Sequence, residues 1–380
     1  MIIALVLVVI IFALMTDGKS LSPLSINNLI TQNGYVFVLA AGMLLCILTG
    51  GNIDLSVGSV VCFSAAVGCA LMDKGVNMWI AVFVILAIGL AVGTFQGFWI
   101  AKLHVPAFIA TLSGMYAFRG FSNVVLNGYR VDISNQAFLN IFGGGADCYI
   151  PDILRGSTSI ETGVLNITCL AIGLAATLAF VLMKVRKILI QKKLNIHQSI
   201  PAQIVTTAII AAVTMWLTWK LANHKGFPTV LIWIGLVLGI YQYITTKTAI
   251  GRHLYAVGGN EKATALSGVK TRNVYWFAYA SIGLMAGLAG ILTSARGVGI
   301  DPTAGEGYEM DAIASCFIGG ASAYGGIGKV SGMIIGAVLM GVINMGMNMV
   351  SVDSNYQKVV KGLVLLVAVI FDVLSKRQKR

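Results

Sequence analysis

Apolar runs long enough to cross a bilayer recur along the whole chain, and that recurrence leaves few folds open. A helix of about 20 residues spans a hydrocarbon core of about 30 Å. Runs near that length fall at 34–50, 56–73, 78–100, 106–126, 163–183, 201–221, 228–246, 274–295, 305–321, 330–350 and 357–375, with a shorter one at 2–15. In lipid every backbone N–H and C=O must find a partner inside the segment, so spans of this kind are helices. Composition agrees: 57% of residues are hydrophobic, 11% are charged and the mean hydropathy is +0.87. The expected fold is all-α and polytopic, a single transmembrane domain over 1–380 with about 10–12 membrane helices. Two elements fit poorly. The first is short, and 305–321 holds Glu306, Glu309 and Asp311, which predicts a broken or partly inserted helix.

Charge sets the orientation. With the N-terminus inside, the inner segments are 51–55, 101–105, 184–200, 247–273, 322–329 and 376–380, and they collect about sixteen of the 26 Lys and Arg residues. Lys184, Arg186, Lys187, Lys192 and Lys193 make 184–200 a basic cytoplasmic loop, and the chain ends on another basic run from Lys376 to Arg380. The long outer loop, 127–162, carries only Arg130 and Arg155, so both termini are expected inside. The net charge of +12 is explained by a lipid bilayer with anionic headgroups, and no nucleic acid partner is needed. Residues 2–15 lack a basic leader and do not read as a cleaved signal peptide. Of six cysteines only Cys148 falls in an aqueous loop, so neither a disulfide framework nor a metal set emerges, and no cofactor is expected.

Several apparent motifs fail. Gly325-Gly326-Ile327-Gly328-Lys329 lacks the first glycine and the final Ser or Thr of a phosphate loop and lies between membrane helices. The sequon Asn166-Ile167-Thr168 falls in an expected span. No nucleophile, base and orienting group assemble, so the chain by itself is not expected to be an enzyme. Glycines at four-residue spacing (Gly89, Gly93, Gly97; Gly283, Gly287; Gly332, Gly336) predict close helix packing. Polar residues inside spans are few. Arg119 either snorkels to the outer interface or lines a path, and Gln96, Asn123, Asn344 and Asn348 are uncharged candidates for a path that passes hydroxyl-rich solutes, with interhelical bonding as their plainer alternative. Asp54, Glu309 and Asp311 look like helix-start acids that complement the positive end of a helix dipole.

The stretch 258–268 carries a different signal. Asn260 suits an N-cap, Glu261 the first turn and Gly268 a left-handed stop, leaving about two turns of helix, too few to persist alone in water. Ala263 and Leu266 give it a small apolar face. A helix like this on the cytoplasmic side makes sense if a partner docks on it.

Three motifs then point to a family. Leu48-Thr49-Gly50-Gly51-Asn52-Ile53-Asp54-Leu55-Ser56-Val57-Gly58, Gly251-Arg252-His253-Leu254-Tyr255-Ala256-Val257-Gly258-Gly259-Asn260-Glu261, and Asp311-Ala312-Ile313-Ala314 through Phe317-Ile318-Gly319-Gly320 resemble the ribose/xylose-type permeases of ABC importers, in order over nearly the whole chain. The resemblance implies a bacterial inner-membrane permease for a monosaccharide that pairs with a second permease copy. It also implies separate ATPase subunits and an extracytoplasmic solute-binding protein. It makes 247–273 the coupling region, with Gly259, Asn260, Glu261, Ala263, Leu266, Ser267 and Gly268 contacting the ATPase. The outer loop, with Tyr129, Arg130, Asp132, Asp147, Asp152 and Arg155, becomes the surface for the binding protein. The segment 163–222 looks like an extra pair of spans relative to the shorter ribose permeases and is similar to the xylose and multiple-monosaccharide type. The alternatives are an ion- or proton-coupled secondary transporter of a small polar solute, or the same scaffold with a non-sugar cargo.

Overall fold

The computed structural model describes residues 2–156, 160, 163–193 and 200–377. The centre of the basic loop, 194–199, and the last basic residues, 378–380, lie outside the described residues, as does part of the outer loop. Sixteen α-helices lie among those described: α1 (Ile2–Met15), α2 (Pro23–Gln32), α3 (Gly34–Leu48), α4 (Val57–Asp73), α5 (Met78–Leu103), α6 (Ala107–Leu126), α7 (Gln136–Phe142), α8 (Ile167–Lys193), α9 (Ile200–Ala222), α10 (Val230–Lys247), α11 (Ala249–Gly259), α12 (Glu261–Leu266), α13 (Thr271–Arg296), α14 (Tyr308–Ile318), α15 (Val330–Met349) and α16 (Ser354–Arg377). Each of the twelve apolar elements coincides with a helix. Among the described residues α5, α8, α9, α10, α13 and α15 are long and apolar enough to cross alone, and α2 with α3 passes the same test only as a pair, bent by 42°.

Helices α3 and α13 form the centre. Every side chain of α3 from Val36 to Leu48 is buried. Helix α13 packs along α3, α4 and α5. Its approach to α5 depends on glycine: a Cβ on Gly89 would fall on the Gly283 carbonyl, and one on Gly93 on the Tyr279 carbonyl. The spaced glycines therefore serve packing within the chain, where dispersion between close backbones stands in for the missing hydrophobic drive. The α8–α9 hairpin is peripheral. Leu174, Leu178, Val205, Ile209 and Val213 point outward, toward the bilayer, while Cys169, Leu221 and Ala222 anchor the pair on Ile26 of α2.

Long-range contacts sort the connections into two sets. On one side β1 (Val131–Asp132) pairs antiparallel with β2 (Gly299–Ile300), Tyr149 bridges Pro228, and Lys358 pairs with Glu306. On the other, the Gly326 N–H donates to the Leu48 carbonyl, the Tyr255 hydroxyl to the Gly328 carbonyl, and the Ala323 N–H to Asp372. Each contact joins segments expected on the same side of the membrane.

Three local readings change. Cys148 is buried beneath the outer loop rather than facing water. The sequon residue Asn166 stands at the mouth of α8 instead of inside it, where its Oδ1 accepts from the Cys169 N–H at 2.8 Å. Asp152 does not face solvent: its carboxylate takes the Ile167 and Thr168 N–H groups and so closes the N-terminus of α8. Burial pushes this carboxyl up, but those bonds and the Thr168 hydroxyl outweigh it and hold it below its ordinary value.

Candidate functional site

Helix α12, expected on the cytoplasmic side, has the ends its sequence asks for. Asn260 Oδ1 accepts from the Ala263 N–H at 2.9 Å. At the other end Gly268 is left-handed (φ 87°), the Val269 N–H donates to the Thr264 carbonyl and the Gly268 N–H to the Ala265 carbonyl, a Schellman closure. Thr264 is buried and seats the helix, and the Tyr275 hydroxyl of α13 donates to Glu261 Oε2 at 3.0 Å. Gly259, Ala263 and Ser267 are exposed, and Leu266 is 90% exposed. The apolar face therefore points away from the chain that carries it. Helix α11, which the sequence did not reveal, leads into this turn; Tyr255 on it reaches the loop before α15.

Deeper in the bundle two stretches of backbone are not helical, residues 51–56 and 301–307. They meet where Gly58 lies against the Gly305 carbonyl, a contact that leaves no room for a side chain. Irregular backbone that is buried survives only when other protein groups satisfy it. Asp54 does this for the first stretch. It is not an N-cap: Ser56 holds that position, and Asp54 Oδ1 accepts from the Ser56 N–H at 2.8 Å and from its hydroxyl at 2.6 Å. Gln96 Nε2 donates to the same hydroxyl at 2.9 Å. Arg119 serves the second stretch, with Nη1 donating to the carbonyls of Pro302 at 3.0 Å and Ala304 at 2.6 Å. Asn123 is exposed and bonds the Arg119 carbonyl of its own helix. Gln96 and Arg119 thus hold neighbouring segments together, while Asn123 bonds only within α6.

Asn344 and Asn348 are placed differently. They line a cavity of about 140 Å³ together with Gln32, Asn33, Gln357 and Lys361. Gln32 and Tyr35 also line a neighbouring cavity of about 420 Å³ that reaches Thr293, Arg296 and Tyr308. The sequence did not mark Tyr35, Tyr308 or Lys361. The Tyr35 and Tyr308 rings stack with centroids 3.5 Å apart. Behind them Asp311, in the first turn of α14 with Glu309, is fully buried. Its Oδ2 accepts from the Tyr35 hydroxyl at 2.6 Å, Lys361 Nζ at 3.0 Å and Asn344 Nδ2 at 3.3 Å. The bend between α2 and α3 is part of the same cluster, since Asn33 Oδ1 accepts from Asn344 Nδ2 at 3.3 Å. The result is a polar pocket in which Lys361 and Asp311 form a neutral pair, with Arg296 lining the neighbouring cavity.

A family model described as branched-chain amino acid transport system / permease component matches residues 25–149 and 221–369. The gap between the two matches takes in α8 and nearly all of α9. The xylose transport system permease protein XylH of Escherichia coli strain K12 is 35% identical over 381 residues, covering 100% of this chain and 92% of that protein. XylH of Haemophilus influenzae is 34% identical over 383 residues, with 100% and 96% covered. The ribose import permease protein RbsC of Escherichia coli strain K12 is 33% identical over 365 residues, with 95% and 90% covered. No solved structure matches the chain. With matches of this length on both counts, the chain belongs to this family of transport-system permease components, and within it to the ribose/xylose type.

Proposed function

We propose that this chain is the membrane-pathway subunit of an ATP-driven importer for a monosaccharide, a xylose-like pentose or a hexose, in the bacterial inner membrane. The observation that carries the reading is identity to xylose permeases along the full length of the chain. Two ATPase subunits dock on α12 and its flanks through Leu266, Ala263 and Glu261, because the chain has no ATP-binding motif and must take its energy from a partner. A solute-binding protein delivers the sugar to the outer loop, where Tyr129, Arg130, Asp132, Asp147 and Arg155 remain exposed. A second copy of the chain completes the path. Closure of the ATPases displaces α12, and the hydrogen bonds from Tyr275, Tyr255 and Gly326 carry that displacement into α13, α3 and the loop before α15. Uptake of labelled xylose and glucose into vesicles that hold this chain, its ATPase and its binding protein tests the reading. Uptake that needs ATP and survives an uncoupler is expected. Uptake driven by an ion gradient without the ATPase would instead identify an ion-coupled transporter.

A further inference from the structure

The loop 322–328, between α14 and α15, is firmly held and still turns apolar side chains outward. It closes on itself: the Ser322 N–H donates to the Ile327 carbonyl at 2.8 Å, the Gly325 N–H to the Ser322 carbonyl at 3.0 Å and the Tyr324 N–H to Ser322 Oγ at 3.1 Å. Neighbouring elements fasten it as well. The Gly326 N–H reaches the Leu48 carbonyl at 3.0 Å, the Ala323 N–H reaches Asp372 Oδ2 at 3.1 Å, and the Gly328 carbonyl accepts from the Tyr255 hydroxyl at 2.8 Å. Gly326 lies so near the end of α11 that a Cβ on it would meet the Gly259 nitrogen at 2.8 Å. The residue after Gly259 is Asn260, the N-cap of α12, so the loop adjoins α12 on the same side of the membrane. None of these bonds uses the side chain of Tyr324 or Ile327, which are 67% and 57% exposed.

We propose that Tyr324 and Ile327 form a second contact for the ATPase subunit beside α12, an inference that rests on the importer reading above. Size argues for it. A stable protein interface covers roughly 800 Å² on each partner, about 20–30 residues. Helix α12 has six residues, and Thr264 among them is buried against its own chain. An ATPase seated on α12 must therefore cover ground beside it, and the loop is that ground at the N-cap end. The apolar character continues from Leu266 to Ile327 and Tyr324, all outward. Because the loop backbone is already fixed, docking on it costs little further ordering. Its bond to Asp372 also gives the ATPase a hold on α16.

The test uses the full chain with single cysteines introduced, since all six native ones are buried. Ile327→Cys and Ser267→Cys are exposed to a water-soluble thiol reagent in detergent and in opened vesicles, with and without the ATPase. Both are expected to react readily in the chain alone and more slowly in the assembled complex. The pair Tyr324→Asp with Ile327→Asp is expected to raise the Kd for the ATPase about tenfold at an unchanged melting temperature. If the ATPase binds and Ile327→Cys reacts as fast as before, or the double variant binds as tightly as wild type, the inference is overturned. Slow labelling of Ile327→Cys without the ATPase overturns it too: in vesicles only, lipid covers the residue, and in detergent as well, a second copy of the chain does. If the wild-type chain retains no ATPase at all, the importer reading itself falls, and the second contact with it.

Discussion

At the residue scale the sharpest contrast is between Leu266 and Arg119. Leu266 touches almost nothing in its own chain, so Leu266→Asp should leave the detergent-solubilised protein as stable as wild type and abolish ATP-driven uptake. Asn260→Ala acts on the same helix by another route. It removes the Oδ1 that holds the Ala263 N–H, a loss of about 1 kcal/mol from a helix of six residues. Uptake should fall by about fivefold, with faster amide exchange at 261–266 as the accompanying measurement. Arg119 is the opposite case. Arg119→Ala leaves the Pro302 and Ala304 carbonyls without their donor, at about 1–3 kcal/mol each, so the expected result is a clear drop in melting temperature. Arg119→Lys, which still places one charged donor there, should recover part of it. A path-lining Arg119 would instead give a stable protein with altered uptake.

Elements show what sequence periodicity can and cannot reveal. All twelve apolar runs became helices because the requirement that creates them, backbone satisfaction in lipid, is local to each run. Helix α2 escaped notice because Pro-Leu-Ser-Ile-Asn-Asn-Leu-Ile-Thr-Gln is not an apolar run; Ser22 caps it, Pro23 starts it, and α9 and α15 cover it. Asp311 was legible as a first-turn acid, but its partners come from residues 35, 344 and 361, and no local pattern announces a meeting of that range. For Gln96 interhelical bonding was the plainer reading and its partner Ser56 was not legible, while Arg119 showed its charge but not the carbonyls it serves. The glycine spacing was informative because it acts between two elements through backbone shape alone. Gly93→Leu should force α5 from α13, where the Tyr279 carbonyl and the Gly283 backbone already fill the space. The expected cost is at least the ~3 kcal/mol upper end for overpacking, read as loss of folded protein on size exclusion after solubilisation.

For the whole molecule the open quantity is which side of the membrane each contact cluster faces. The structure gathers β1, β2 and the Tyr149–Pro228 bridge at one end and α12 with the 322–329 loop at the other, but charge alone assigns inside and outside. All six native cysteines are buried, so a thiol reagent that cannot cross membranes should find little to label in the parent protein. Tyr129→Cys, at a position 77% exposed on the outer loop, should then react in intact cells. Ser267→Cys, exposed at the end of α12, should react only after the membrane is opened. The reverse pattern would place α12 outside, where no ATPase can reach it, and the coupling role of Leu266 would fall even if the fold stood. Labelling of both residues in intact cells would mean that the two clusters share a side. The span count would then be wrong by an odd number somewhere between 129 and 267, a stretch that contains the α8–α9 hairpin.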